Sequence, residues 1–273
     1  MKPPSLSFIG GGNMARSLIG GLITDHWPAD RIHVTDPDAD ALARLSSLGV
    51  RTGNDNPAAV DAADVVVLAV KPQVMETVAR DLAASIQARR PLVISIAAGI
   101  RTADLERWLG GNVALVRCMP NTPALVQSGA TALFANVRVT EGQRDVAETI
   151  LRAVGLTLWL DDEGQMDAVT ALSGSGPAYF FLVIEALQAA GEQLGLPAGS
   201  ARLLALQTAF GAAKMALESD EDAATLRRRV TSPGGTTERA IQTLEAGGIR
   251  DLIGRALAAA RDRSRELADE LGG

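Results

Sequence analysis

The chain is poor in the side chains that usually carry acid–base and nucleophilic chemistry. Its 273 residues include three lysines (Lys2, Lys71, Lys214), one tyrosine (Tyr179), two histidines (His26, His33) and one cysteine (Cys118). A single cysteine cannot close an intrachain disulfide, which points to a reducing compartment. Zinc would find neither a cysteine pair nor a histidine cluster, so no metal site is expected. There is no lysine-rich run, and the formal net charge is −6. Nucleic acid and anionic membranes are therefore not expected partners. No unbroken apolar stretch reaches the roughly 18 residues needed to span a bilayer. The N-terminal MKPPSLSFIGGG breaks at glycine before it could form the apolar core of a secretion signal. These absences together predict a soluble, cytoplasmic protein.

What the chain does have is aliphatic. Hydrophobic residues make up 47% and aromatics only 3%, so cores must be built from Ala, Leu, Val and Ile. The length suffices for two domains. SLSFIG (5–10), RIHVTD (31–36), ADVVVLAVKP (63–72), PLVISIAAG (91–99) and NVALVRCMP (112–120) read as strands, with helix-like stretches between them. That alternation predicts right-handed crossovers and a mostly parallel, doubly wound sheet of Rossmann type. ATALFA (130–135) and LTLWL (156–160) extend it at its far edge. After Leu160 the texture turns helical, over 177–194, 198–218, 221–229, 237–246 and 249–271. The expected division is a dinucleotide-binding domain over residues 1–162 and an all-helical domain over 163–273. GPAYFFLVIEALQAAG (176–191) is apolar around most of its circumference, too much so for a small helical domain to hide alone. Burial against a second copy of the chain is expected.

FIGGGNMA (8–15) follows a strand and opens a helix in the pattern G-x-G-x-x-A. Gly10 permits the tight turn, Gly12 admits a pyrophosphate close to the backbone, and Ala15 lets helix and strand pack closely. A dinucleotide is the ligand this context predicts, held at the positive end of the helix. Asp36 closes the second strand where an acid contacts a ribose, which favours NAD; it can equally be the first residue of a simple Asp-Pro-Asp turn. Ligands in open parallel sheets bind beyond the carboxyl ends of the strands. Ala69, Val70, Lys71 and Pro72, then Ala98 and Gly99, then Asn121, are therefore further cofactor candidates.

A second glycine-rich loop, TSPGGTTERA (231–240), lies in the helical half. Gly234 and Gly235 would expose backbone amides, and Thr236 opens a helix whose free N–H groups could hold a carboxylate. Ser232, Thr236 and Thr237 add hydroxyls. Spacing alone favours an ordinary helix cap here. SGSGPAY (173–179) reads as a turn with proline opening a helix.

Several reductase mechanisms fail on the short list of functional side chains. A short-chain reductase needs lysine four residues after its tyrosine, but Val183 follows Tyr179 at that spacing. Lys214, in AAKMALES, lacks the nearby asparagine of a helical-domain hydroxyacid dehydrogenase. Both histidines lie in the cofactor domain. Hydride delivery without a strong general acid remains, which suits an already polarised C=N bond.

SGSGPAYFF, VTSPGGTTERA, VRCMPNTPA, LAVKPQ and FIGGGNMA closely resemble the pyrroline-5-carboxylate reductase family, from the first strand to the last helix. The resemblance implies reduction of 1-pyrroline-5-carboxylate to L-proline by hydride from NADPH, or from NADH if Asp36 decides. It implies that Gly10, Gly12, Asn13 and Met14 line the pyrophosphate, and that Asn56 and Ala69–Pro72 contact the adenosine and nicotinamide ends. Ser232, Gly234, Gly235, Thr236 and Thr237 would hold the substrate, with the Thr237 hydroxyl near the ring nitrogen. It also implies dimers interlocked through the helical domain, often arranged as decamers. The competing expectations are a hydroxyacid or other imine reductase on this architecture, and a noncatalytic nucleotide sensor.

Overall fold

The structure, a computed structural model, describes residues 3–273. The chain divides into two compact units, one running to Ser175 and including Ala260–Gly273, the other Gly176–Ala259. The first is built on one sheet of eight strands: β1 (Leu6–Ile9), β2 (Ile32–Thr35), β3 (Arg51–Gly53), β4 (Val65–Leu68), β5 (Leu92–Ser95), β6 (Leu115–Met119), β7 (Gly129–Ala135) and β8 (Gly155–Trp159). Their spatial order is β3-β2-β1-β4-β5-β6-β7-β8. β1, β4 and β5 are buried at every position, as strands covered on both faces must be.

Every neighbouring pair is parallel except β6–β7. The exception has a simple cause. Only residues 120–128 join the two strands, whereas a parallel crossover needs about a dozen residues or more, so the chain must turn back. β3, which sequence reading left out, is three residues long and largely uncovered.

Helices α1 (Asn13–Thr24), α2 (Ala39–Ser46), α3 (Asn56–Asp61), α4 (Pro72–Arg89), α5 (Thr102–Trp108) and α6 (Glu141–Arg152) cover the sheet. Leu18 and Ile19 of α1 and Ile150 of α6 pack with Phe8, Val34 and Val67 on one face. Met75 and Leu82 of α4 and Leu105 of α5 pack with Ile9, Val66 and Leu68 on the other. Val66 and Val67, adjacent in sequence, thus belong to opposite cores, as strand alternation requires. Each fully buried aliphatic side chain contributes about 1.5–3 kcal/mol relative to exposure.

Beyond β8 the backbone is helical from Glu163 to Gln193, through α7 (Met166–Val169), a π-helical turn (Thr170–Gly174) and α8 (Gly176–Gln193). By length and composition this run is apolar enough to cross a membrane, with mean hydropathy 1.2. A search for unbroken apolar sequence misses it because SGSG interrupts the run. The second unit continues with α9 (Ala198–Glu218), α10 (Ala223–Arg229), α11 (Thr236–Ala246) and the start of α12 (Ile249–Gly272). Its apolar side chains are largely uncovered: Phe180 is 69% exposed, Phe181 66% and Leu182 66%. A helix of that composition needs a partner surface.

The end of α12 belongs to the sheet unit. Ser264 is buried and donates to Asp167 at 2.8 Å, Arg101 donates to Asp269 at 2.5 Å, and Arg107 reaches the Gly272 carbonyl. Leu267 and Leu271 lie against Gly99, in the loop after β5.

Candidate active site

The first glycine-rich loop sits between β1 and α1. Gly10 has φ +104°, and a Cβ built there would stand 2.7 Å from the Ala69 carbonyl oxygen. Only glycine lets the loop pass this close to the end of β4. Gly12, the residue before α1, has open space where a Cβ would be. The helix has no side-chain cap and no acid in its first turn. Its first N–H groups thus have no side-chain acceptor, the arrangement that can receive a phosphate. Ala15 is 1% exposed against the sheet. The chemistry of the cradle fits a dinucleotide pyrophosphate.

Asp36 follows β2 directly. One carboxylate oxygen accepts the Gly11 N–H at 2.7 Å and the other accepts the Asp38 N–H at 2.8 Å. Asp36 therefore initiates the Asp-Pro-Asp turn and also ties it to the phosphate loop. The turn reading is what the structure shows, and each oxygen keeps a lone pair with which a ribose hydroxyl could still be met.

The sheet order brings several candidates to one edge. Gly10–Met14, Asp36 and Ala69 stand at the carboxyl ends of adjacent strands, and Asn56 opens α3 behind the Asp55 cap, whose carboxylate accepts the Ala58 N–H at 2.9 Å. Val70 is half-buried, and Lys71 is exposed as the residue before α4. Pro72, Ala98 and Gly99 share a cavity of about 360 Å³ with Thr170, Ser175 and Arg263.

Asn121 behaves differently from its neighbours. Its Oδ1 accepts the Ala130 N–H at 2.9 Å, and its Nδ2 donates to the carbonyl and hydroxyl of Ser173 at 3.2 and 3.3 Å. The side chain thus binds the start of β7 to the π-helical turn. The side chain of this expected cofactor contact is thus engaged within the fold, which leaves its backbone for any ligand. Met119 packs under the same turn, where a Cβ on Gly174 would meet its methyl at 2.4 Å.

Two features of this region escaped sequence reading. The π-helical turn has no local signature, although such turns gather at functional sites. The second is an ion pair. Arg117 of β6, 5% exposed, donates to Glu163 at 2.8 Å. Glu163 also accepts the Thr102 N–H at 2.8 Å and its hydroxyl at 2.5 Å. An arginine inside the run VALVRCM was the available signal, because a charge there must find a partner. Next to it Cys118 is fully buried, which pushes its thiol far above the ordinary range and leaves it inert.

The second loop corrects one expectation. Gly234, at φ +72°, donates its N–H to the Glu238 carboxylate at 2.8 Å, and Gly235 donates to the Ser232 carbonyl at 3.0 Å. These two amides are not exposed for a ligand, because the loop closes as its own turn. The helix-opening amides of Thr236, Thr237 and Glu238 have no helical partner. Ser232 and Thr236 are exposed and Thr237 is half-buried. Glu238 holds a carboxylate over the loop, at the kind of place a bound anion would occupy.

Comparison with known proteins supplies what geometry alone does not. Residues 163–267 match the family described as pyrroline-5-carboxylate reductase dimerisation, and residues 5–99 match NADP oxidoreductase coenzyme F420-dependent. The chain is 53% identical to a pyrroline-5-carboxylate reductase of Pseudomonas aeruginosa, with both chains covered completely. It is 44% identical to that of Haemophilus influenzae over 98% of each. The solved reductase of Coxiella burnetii superposes with a TM-score of 0.94 at 50% identity, over 97% of this chain and 98% of that one. The Plasmodium falciparum enzyme, solved with NADP bound, gives 0.86 at 28% identity over 98% and 99%. A doubly wound sheet with a phosphate cradle, a helical dimerisation segment and full-length similarity lead to one conclusion: the chain belongs to the pyrroline-5-carboxylate reductase family.

Proposed function

We propose that this chain reduces the C=N bond of 1-pyrroline-5-carboxylate to L-proline, with NADPH or NADH as reductant. The observation that carries the reading is the full-length likeness to reductases of that name, in a chain whose own Gly12 cradle is open for a pyrophosphate. When bound, a reduced nicotinamide would supply hydride to the carbon of the protonated imine, leaving the nitrogen as a neutral amine. Gly12, Asn13 and Met14 hold the phosphates by backbone N–H groups, and Gly10, whose own N–H is donated to the Thr35 carbonyl at 2.8 Å, makes the turn that brings them there. Asn56, Ala69, Val70, Lys71 and Pro72 frame the adenosine and nicotinamide ends, and Ala98 and Gly99 close the floor. Asn121 acts by holding the turn at Ser173 in place.

Residues 163–273 form the substrate and dimerisation half in this reading. Ser232, Thr236 and Thr237 receive the substrate carboxylate, chiefly through the amides that open α11, and Gly234 and Gly235 shape the turn before them. Thr237 is the residue we assign to catalysis, orienting the ring and steadying its nitrogen by a hydroxyl hydrogen bond. The assembly is a homodimer that can build to a decamer, in the cytoplasm. The uncovered Phe180, Phe181 and Leu182 support association.

The deciding assay follows loss of reduced-cofactor absorbance with pyrroline-5-carboxylate against a panel of keto acids. Turnover of a keto acid in preference to the imine would give the chain to a hydroxyacid reductase. Thr237→Ala should cut turnover by about 10²-fold with little change in cofactor affinity. Equal losses in both would remove Thr237 from the mechanism.

A further inference from the structure

We propose that this chain prefers NADH to NADPH, and that the carboxylates following β2 set the preference. The inference rests on the reading that the sheet unit binds a reduced nicotinamide dinucleotide. The two cofactors differ only by a phosphate on the adenosine ribose. In this fold that group falls at the end of β2, where an acid accepts the 2′-hydroxyl of NAD and an arginine accommodates the 2′-phosphate of NADP.

Asp36 occupies that position and cannot readily leave it. Its two oxygens are pinned by the Gly11 N–H at 2.7 Å and the Asp38 N–H at 2.8 Å. A carboxylate so held has lone pairs for a hydroxyl donor but nothing to offer a phosphate except repulsion. Asp38 is pinned as well, with its side chain accepting the Asp40 N–H at 2.9 Å. That bond caps α2, so the helix end that would otherwise attract a phosphate already carries an acid.

The surrounding loops add no counter-charge. From Asp36 to Asp40 there are three aspartates, and the first base along the chain is Arg44, in the last turn of α2. The loop after β1 has no base before Arg16, on α1. The loop after β3 brings another acid, Asp55, and no base. Lys71 follows β4, which the sheet order sets on the far side of β1 from β2. A 2′-phosphate would therefore meet carboxylates with no cation in the turn to offset them.

The test is equilibrium binding, read from nicotinamide fluorescence as purified protein is titrated with NADH and with NADPH. NADH should bind about tenfold tighter or more, and the gap should narrow in about 1 M salt, where charges further apart than roughly 3 Å are screened. Asp36→Asn removes the charge and keeps an acceptor for Gly11 but gives up the bond from the Asp38 N–H, so it should shrink the NADH-to-NADPH affinity ratio severalfold while lowering the melting temperature by only about a few degrees. Equal or tighter binding of NADPH to the wild type overturns the proposal, as does an unchanged ratio in Asp36→Asn. If NADPH wins and pyrroline-5-carboxylate is still reduced, only the preference falls. If neither cofactor binds, the functional reading falls with it.

Discussion

Arg117→Met tests whether the buried ion pair in the middle of β6 holds the site's framework. The guanidinium, whose side chain is 6% exposed, faces a Glu163 side chain that is 23% exposed. Methionine fills much of the arginine's volume but leaves the carboxylate without a charge partner. Removing one member of a buried pair costs about 3–5 kcal/mol. Glu163 keeps some solvent and both Thr102 donors, which places the expected loss just below that range, at about 2–3 kcal/mol. That is a large share of the roughly 5–15 kcal/mol that holds a typical domain together. Glu163→Gln should cost at least as much, because it strands the more deeply buried charge. The double variant should cost less than the sum of the two by about 1–2 kcal/mol, the sign of direct coupling. Urea denaturation at fixed protein concentration, since association adds its own stability, measures all three. A loss below about 0.5 kcal/mol for Arg117→Met, the ordinary range for surface substitutions, would show that the pair is not structural.

The two glycines of the first loop should separate cleanly. Gly10→Ala places a methyl 2.7 Å from a backbone carbonyl at φ +104°, so both melting temperature and cofactor affinity should fall. Gly12→Ala meets no protein atom, so the fold should stand while cofactor binding weakens by at least tenfold, as read by fluorescence titration. Glu238→Gln removes a carboxylate beside the proposed substrate loop while keeping an acceptor for Gly234. Steady-state kinetics should show KM for the anionic substrate falling about two- to fivefold, the scale of a partly exposed charge pair, with kcat little changed. Asp64 supplies a pH test. The Ser5 backbone N–H, then its hydroxyl, Arg89 and Arg31, hold its carboxyl below the ordinary value of 3.8. A depressed folded-state value stabilises above the unfolded pKa and is lost as pH falls through the folded one. The melting-temperature advantage of wild type over Asp64→Asn should thus be full at neutral pH, begin to shrink only as pH falls below about 4, and vanish once pH is below the lowered folded-state value.

Much of the sheet was legible because its strands are covered on both faces. ADVVVLAVKP and PLVISIAAG are β-branched runs that only a buried parallel strand accommodates, and they became β4 and β5. Helix α9 spans 198–218, the limits that its proline and the following Ser-Asp suggest. β3 was illegible because Arg-Thr-Gly has neither periodicity nor burial to mark it. The reversal at β7 follows from connection length, which shows only once both strand ends are placed. At the site, the G-x-G-x-x-A pattern located the cradle, since each glycine has its own steric reason. It could not disclose that Asp36 clasps Gly11, that Asn121 is taken up by Ser173 and Ala130, or that the second loop satisfies its own glycyl amides. Those are contacts across 25, 52 and 4 residues that depend on side-chain direction.

The return of α12 to the sheet unit has a consequence for how the protein is made. Leu267 and Leu271 press on Gly99, so the floor beside the strand ends awaits a segment translated some 170 residues later. At about 5–20 residues per second a ribosome takes on the order of 10–30 s to cover that distance. During that interval the nascent sheet carries an open flank, and the polypeptide becomes competent only after its closing helix has emerged and docked.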